Sequence, residues 1–220
     1  MAKPPLSSYD SRSTAITHHP TPIKETFDRL SNEEKIERIA HHFHEIMDIL
    51  GLDMSNASLA KTPRRVASMY VNELFSGLDL NAFPAMSLIA EPEEVNVSDR
   101  LVMLKIGFTS YCEHHFVPMI GQAYVAYIPR GKLLGFSKFS RIVRYFARRP
   151  QLQERLTAQV ADALSMVLET DDVAVSTTAV HHCVLARGIE DENSHATSQV
   201  LMGAFTQDAQ LRSQFLSMMK

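Results

Sequence analysis

The chain has 220 residues, is 45% hydrophobic and carries a net charge of −3, which allows one domain with an appendage or two small domains. No apolar run approaches the ~20 residues that cross a bilayer, and the N-terminal residues lack the apolar segment of a secretory signal. With only two cysteines, Cys112 and Cys183, the expectation is a reducing cytoplasm, where metal binding or catalysis is the stronger reading than a disulfide.

Residues 1–25 are rich in Ser, Thr and Pro and read as an extended tail. Ser31 and Glu34 form a capping-box signature, followed by a helical stripe of Ile36, Ile39, Ala40, Phe43, Ile46, Met47 and Leu50 that ends at Gly51. His41, His42 and His44 fall mostly off that stripe and read as surface residues. Thr62-Pro63 predicts the cap and first residue of a second helix, with Gly77 closing it. Arg64 and Arg65 in its first turn oppose the helix dipole, which hints at an anionic partner. Residues 78–100 read as a long connection.

The chain then changes character. Residues 101–106 and 122–128 predict an antiparallel pair of strands, with Cys112 to His115 in the loop between them. Ser137 is the expected cap of a third helix with the stripe Phe139, Ile142, Val143 and Phe146. Pro150 is expected to open a fourth, with Leu152, Leu156, Val160, Leu164 and Val167 inward. Residues 172–180 predict a strand that runs into His181-His182-Cys183. A polar loop over 190–199 and a short amphipathic ending follow. Helices followed by strands around a helix pair give an α+β class: a helical region over 26–100 and a catalytic domain over 101–220. Between Arg130 and Arg155 stand eight Lys/Arg and one acid, Glu154. Such a stretch suits an anionic ligand; a solvated helix face is the plain alternative.

Four of the ten histidines lie within three residues of a cysteine. Cys112-x-x-His115 supplies two metal donors, and Cys183 can supply a third from a neighbouring strand end. Thiolate and imidazole suit zinc. Three protein ligands leave a place for water and make a catalytic site; a further histidine would make it structural. His114 and His181 then stay beside the metal as proton carriers. A cysteine nucleophile with a histidine base is the rival chemistry.

Over roughly residues 30–215 the sequence resembles GTP cyclohydrolase I. The resemblance is carried by Thr62–Tyr70, Glu73–Leu78, Cys112–Phe116, Gly135–Lys138, Arg149–Leu156 and Val180–Val184 with Arg187–Ile189. It implies conversion of GTP and water to formate and 7,8-dihydroneopterin triphosphate, the first step of folate and pterin synthesis. It implies Zn2+ on Cys112, His115 and Cys183, with His114 and His181 as acid-base residues. Glu154 would hold the guanine edge as a buried acceptor, with Gln153 beside it. Lys138, Arg141, Arg187 and Arg65 would bind the triphosphate, and Ser137 the ribose or a phosphate. The implied fold is a tunnelling fold, an antiparallel sheet with two helices on one face and a helical N-terminal extension. Five such sheets would close into a barrel and two pentamers stack as a decamer, with active sites at subunit interfaces. Neither nucleic acid nor membrane is an expected partner. Two other readings are a nitrile-reducing relative that uses a cysteine nucleophile and NADPH, and a structural-zinc module whose basic stretch binds RNA. The acids Glu190, Asp191 and Glu192 depart from the family pattern near the triphosphate binders.

Overall fold

A computed structural model describes residues 18–24, 30–90 and 101–219. Most of the expected tail and the acids Glu91, Glu93 and Glu94 lie outside these described residues. Helix α1 spans Asn32–Ile49 and starts at the expected capping box, with Ser31 and Glu34 each bonding the other's backbone N–H. Gly51, at φ +81°, ends it. Its stripe is only partly covered: Ile36 and Met47 are buried, while Ile46 and Leu50 are 49% and 72% exposed. Helix α2, Thr62–Met69, includes Thr62 as its first residue. Lys61 takes the cap position and no side chain caps the helix. The backbone continues through a π-turn over Tyr70–Leu74 and a 3-10 turn over Ser76–Leu78. The expected connection contains a short strand, β1 (Leu88–Ala90), paired with β4 (Lys132–Leu134).

The main sheet has the order β5-β2-β3-β6-β7. β2 (Val102–Cys112) and β3 (Pro118–Tyr127) form the expected antiparallel pair, but both are longer than their apolar runs suggested. Along β2 the residues Ile106, Phe108, Ser110 and Cys112 are buried and Lys105, Gly107 and Thr109 are exposed. Gly107 and Thr109 interrupt the hydrophobic run without interrupting the ladder, because only the inward parity must be buried. Cys112 is therefore the last residue of a strand and not part of the loop. β6 (Val173–His181) pairs with β3, and β7 (Ala196–Leu201) pairs with β6. The polar loop expected over 190–199 thus gives way to an edge strand, whose polar residues are compatible with one solvated face.

Helices α3 (Phe136–Ala147) and α4 (Gln153–Leu168) cover one face of this sheet. Phe139, Ile142, Val143 and Phe146 meet Leu156, Val160, Leu164 and Val167 over Phe108, Val125, Tyr127, Val173 and Val175. These are the predicted stripes, except that Leu152 stands at the α4 cap and is only half-buried. Gly135, not Ser137, occupies the α3 cap. Pro150 does not open α4. Pro150–Gln151 form β5, two residues parallel to Tyr111 and Cys112, and an edge position tolerates the missing N–H of proline. The end of β6 leads into a helical turn, α5 (His182–Leu185). On the other face, Phe205 of α6 (Ala204–Gln207) and Phe215 of α7 (Ala209–Ser217) pack on Tyr124, Ala126 and Ala174. The mixed architecture and the sheet with two helices on one face fit the expected tunnelling-type fold.

Residues 18–24, expected in the tail, lie against α4 and the α3 end. Gln159 donates to the His19 carbonyl at 2.7 Å and to Thr21 Oγ1 at 3.1 Å; Arg149 Nη1 donates to Thr21 Oγ1 at 2.9 Å. Arg149 is only 3% exposed, stacked on Tyr145 with its guanidinium carbon 4.4 Å from the ring centre. A buried donor left without an acceptor costs about 1–3 kcal/mol. Thr21→Val is therefore expected to lower the melting temperature by several degrees and Thr21→Ser to restore it, as read by thermal unfolding.

Candidate metal and active site

Two chain reversals meet at one end of the sheet. The first follows β2. Phe116 N–H bonds the Cys112 carbonyl at 2.8 Å and Cys112 N–H bonds the Val117 carbonyl at 2.9 Å, so the chain turns within five residues. Phe116 takes a left-handed backbone, φ 56°, unusual for a bulky residue. Its ring packs 5.0 Å from Phe75 and 6.3 Å from Tyr70, which holds it there. Glu113 pairs with Arg155 of α4 at 2.5 Å, and its N–H bonds the Gln151 carbonyl at 3.0 Å. Just before the turn, buried Ser110 donates to the Ala147 carbonyl at 2.8 Å, fixing β2 to the end of α3. The second reversal is α5, which carries Cys183 directly behind His181.

The thiols of Cys112 and Cys183 and the His115 ring bring their donor atoms within 4.8 Å of one another. Cys112 Sγ is 3.8 Å from His115 Nδ1. A tetrahedral zinc with bonds of ~2.3 Å to sulfur and ~2.1 Å to nitrogen separates such atoms by about 3.6 Å. Burial, and then the Cys112 sulfur beside it, push the Cys183 thiol above its ordinary pKa. A cation between the two sulfurs removes that repulsion. The donor set and its spacing thus fit a zinc ion, and neither cysteine is in a disulfide.

His181, the last residue of β6 and two before Cys183, has Nε2 2.6 Å from Gln153 Oε1. The Gln153 amide cannot be turned round. Its Nε2 donates to the Thr177 and Ala196 carbonyls at 2.9 and 3.0 Å, so its oxygen is the atom that faces the imidazole. An amide oxygen only accepts, so His181 carries its proton on Nε2 and leaves Nδ1 as the free lone pair. Burial lowers the His181 pKa and the Glu154 charge partly opposes this, so the shift favours the neutral ring. His114 is more open: its side chain is 63% exposed, with Nδ1 3.9 Å from Cys112 Sγ. It lines a recess of about 430 Å³ with Thr21, Pro22, Ile23, Glu113 and Phe116. Arg187 reaches to 3.4 Å from His115 Nε2.

One chain therefore assembles Cys112, His115, Cys183, His114, His181, Gln153, Glu154 and Arg187. Gln153, expected among the substrate contacts, is buried with its polar atoms bonded inside the chain. Glu154, expected as a buried acceptor, is exposed in the first turn of α4. Ser137, Lys138 and Arg141 lie elsewhere. They belong to the first half of α3, about 9–15 Å along the axis from Ala147, the end that touches β2. Lys138 donates to the Ala85 carbonyl at 2.6 Å, and Arg141 lines a different recess with Ser76, Pro84, Arg144 and Arg148. Arg65 is exposed in α2, and its neighbour Arg64 is the one paired, with Glu33 and Glu37. Part of the basic stretch is held by ion pairs: Arg130 with Asp172, Lys132 with Glu169, Arg155 with Glu113. Glu190, Asp191 and Glu192 are exposed to solvent. The bonding of Gln153 to His181 and of Glu113 to Arg155 had no signature in residue spacing.

A sheet backed by two helices, with a cysteine-histidine cluster able to hold a metal at one end, makes this an α+β chain with a candidate metal site. The family model for GTP cyclohydrolase I matches residues 39–220, and the chain belongs to that family. Its relatives include the GTP cyclohydrolase 1 of Vibrio vulnificus (strain YJ016), 50% identical over 86% of each chain. That of Aeromonas salmonicida (strain A449) is 50% identical over 87% of each. Among solved structures, the apo archaeosine synthase QueF-Like is similar at 22% identity with a TM-score of 0.39, covering 46% of this chain and 94% of that one.

The orientation of Gln153 makes a spectroscopic prediction. Nitrogen-15 NMR of the labelled protein is expected to show His181 as the Nε2–H tautomer at neutral pH. Gln153→Met should release this preference, and an Nδ1–H signal in the unmodified chain would refute it.

Proposed function

We propose that this chain converts GTP and water to 7,8-dihydroneopterin triphosphate and formate, as a zinc enzyme of the cytoplasm. The observation that carries the reading is the three-donor cluster beside a histidine of fixed tautomer, in a chain of this family. Cys112, His115 and Cys183 would hold the zinc, which supplies Lewis acidity toward a water in the position they leave open.

The remaining work falls to the chain's own groups. Neutral His181 would take at Nδ1 the proton that the attacking water gives up and deliver it to the purine nitrogen as the imidazole ring of guanine opens. Gln153 positions that ring through Nε2–H. His114, open to solvent, exchanges protons between the site and water. Glu154 accepts from the N–H and amino group of the guanine edge. Arg187, beside the metal cluster, together with Lys138, Arg141 and Arg65, binds the triphosphate, and Ser137 a ribose or phosphate oxygen. Guanidinium groups bind phosphate oxygens through paired donors.

The placement of Lys138 and Arg141 on the far half of α3 supports a site shared between subunits. The exposed Ile46 and Ile49 of α1, Leu50 at its end, and Met103 and Ile120 of the sheet are apolar area for partner chains to cover. We infer pentamers whose sheets close into a barrel, stacked in pairs as a decamer, with residues 101–220 as the catalytic domain and 26–100 as its helical extension.

Incubation of zinc-loaded protein with GTP, with formate and oxidised-pterin fluorescence as readouts, tests the reaction. His181→Ala is expected to reduce turnover by about 10²–10⁴-fold, the usual worth of a positioned acid-base group, and Cys183→Ala to abolish zinc binding and activity together. Absence of product at full zinc occupancy would defeat the assignment. The shared site has its own test. Cys112→Ala and Arg141→Ala, each inactive alone, should regain activity when co-assembled, because about a quarter of the sites in a random mixture join two intact halves. No recovery in verified mixed oligomers would place the whole site in one chain.

A further inference from the structure

Helix α1 carries His41, His42 and Glu45 on an exposed face, and their donor atoms all lie within 4.8 Å of one another. Helix geometry accounts for the convergence. At about 100° per residue, His41 and His42 diverge by one step, and Glu45, a turn later, projects between them at about 40° from His41. One carboxylate therefore meets two imidazoles. Glu45 Oε2 is 2.9 Å from His42 Nδ1, and Oε1 is 3.4 Å from His41 Nε2. Adjacent residues on a helix do not normally face each other, yet these two rings approach to 5.2 Å between centroids. An ion with bonds of ~2.0–2.2 Å to nitrogen and oxygen separates neighbouring donors by about 2.8–3.1 Å in octahedral and about 3.3–3.6 Å in tetrahedral geometry. The 2.9 Å and 3.4 Å separations, made by the two oxygens of Glu45, lie in that range.

We propose that His41, His42 and Glu45 form a second metal site, independent of the cysteine cluster, for a borderline divalent transition-metal ion such as Co2+, Ni2+, Cu2+ or Zn2+. Two imidazoles with one carboxylate favour these ions over Mg2+ and Ca2+, which take oxygen donors. The side chains are 69%, 73% and 53% exposed, so the ion keeps water in its other positions and can accept an outside ligand. His44 projects about 60° to the other side of His41 and is not part of the triad. The same three residues as an ordinary surface histidine-glutamate contact, worth little in stability, would bind no metal.

Cobalt separates the two sites, because only the cysteine cluster gives thiolate-to-metal charge-transfer absorption. Titration of the metal-free full-length protein with Co2+, with equilibrium dialysis for stoichiometry, is expected to give two equivalents per chain, one of them without charge transfer. The His41→Ala/His42→Ala double variant should lose that equivalent alone, keeping the charge-transfer band, the circular dichroism spectrum and GTP turnover after zinc loading. His44→Ala should keep both equivalents. A failed cysteine site would appear as loss of the band with the exposed equivalent intact. A wild-type chain without a charge-transfer-free equivalent, or a double variant that retains one, would overturn the proposal.

Discussion

The start of β3 is the point on which the site depends. Pro118 pairs with Tyr111 of β2 on one side, and Met119 pairs with His181 of β6 on the other. Strands in a ladder lie ~4.8 Å apart, so the ends of β2 and β6 are held two strand spacings from each other. The Cys112 turn and the α5 turn both leave from there and curl toward one another. No residue of β3 supplies a metal donor, yet its register decides that donors 68 or more positions apart in sequence meet. Gly121 shows how tight that register is: a Cβ there would lie 2.0 Å from the Thr178 carbonyl oxygen.

Around this point Gln153 and Arg155 are matched to their partners, while the Gln151 side-chain oxygen is buried without one among the described residues. Gln153 meets two sheet carbonyls with its nitrogen and one imidazole with its oxygen, so the sheet backbone sets the protonation pattern of His181. Arg155 meets Glu113 and thereby ties α4 to the turn between Cys112 and His115. A buried amide with one free end would cost stability; one with every end engaged transmits the geometry of β6 and β7 to the site. The two thiols are the opposite case. They lie close together, and burial and their mutual repulsion raise the Cys183 pKa, only partly offset by Arg187, an arrangement that favours a bound cation.

Much of the frame was legible in the sequence. The capping box at Ser31, the left-handed stop at Gly51 and the inward stripes of α3 and α4 are local or periodic features, and the chain keeps them. The strand readings that failed share a cause. β7 is polar and edge-lying, β5 is two residues long and begins with proline, and the outer half of β2 alternates glycine and threonine with its buried residues. Each exists because a neighbouring strand supplies hydrogen-bond partners, which propensity along one segment cannot register.

The sequence by itself determined the donor chemistry: two cysteines, each flanked by a histidine pair, in a chain with a concentrated basic stretch. Residue type and close spacing suffice for that, because a Cys-x-x-His turn is a local object. Only the tertiary structure decided that the Cys183 sulfur meets Cys112 and His115, that Gln153 turns its oxygen to His181, and that Lys138 and Arg141 lie in the first half of α3, away from the end bonded to β2. Those facts depend on strand register and helix placement, where one residue of slip reverses every side chain.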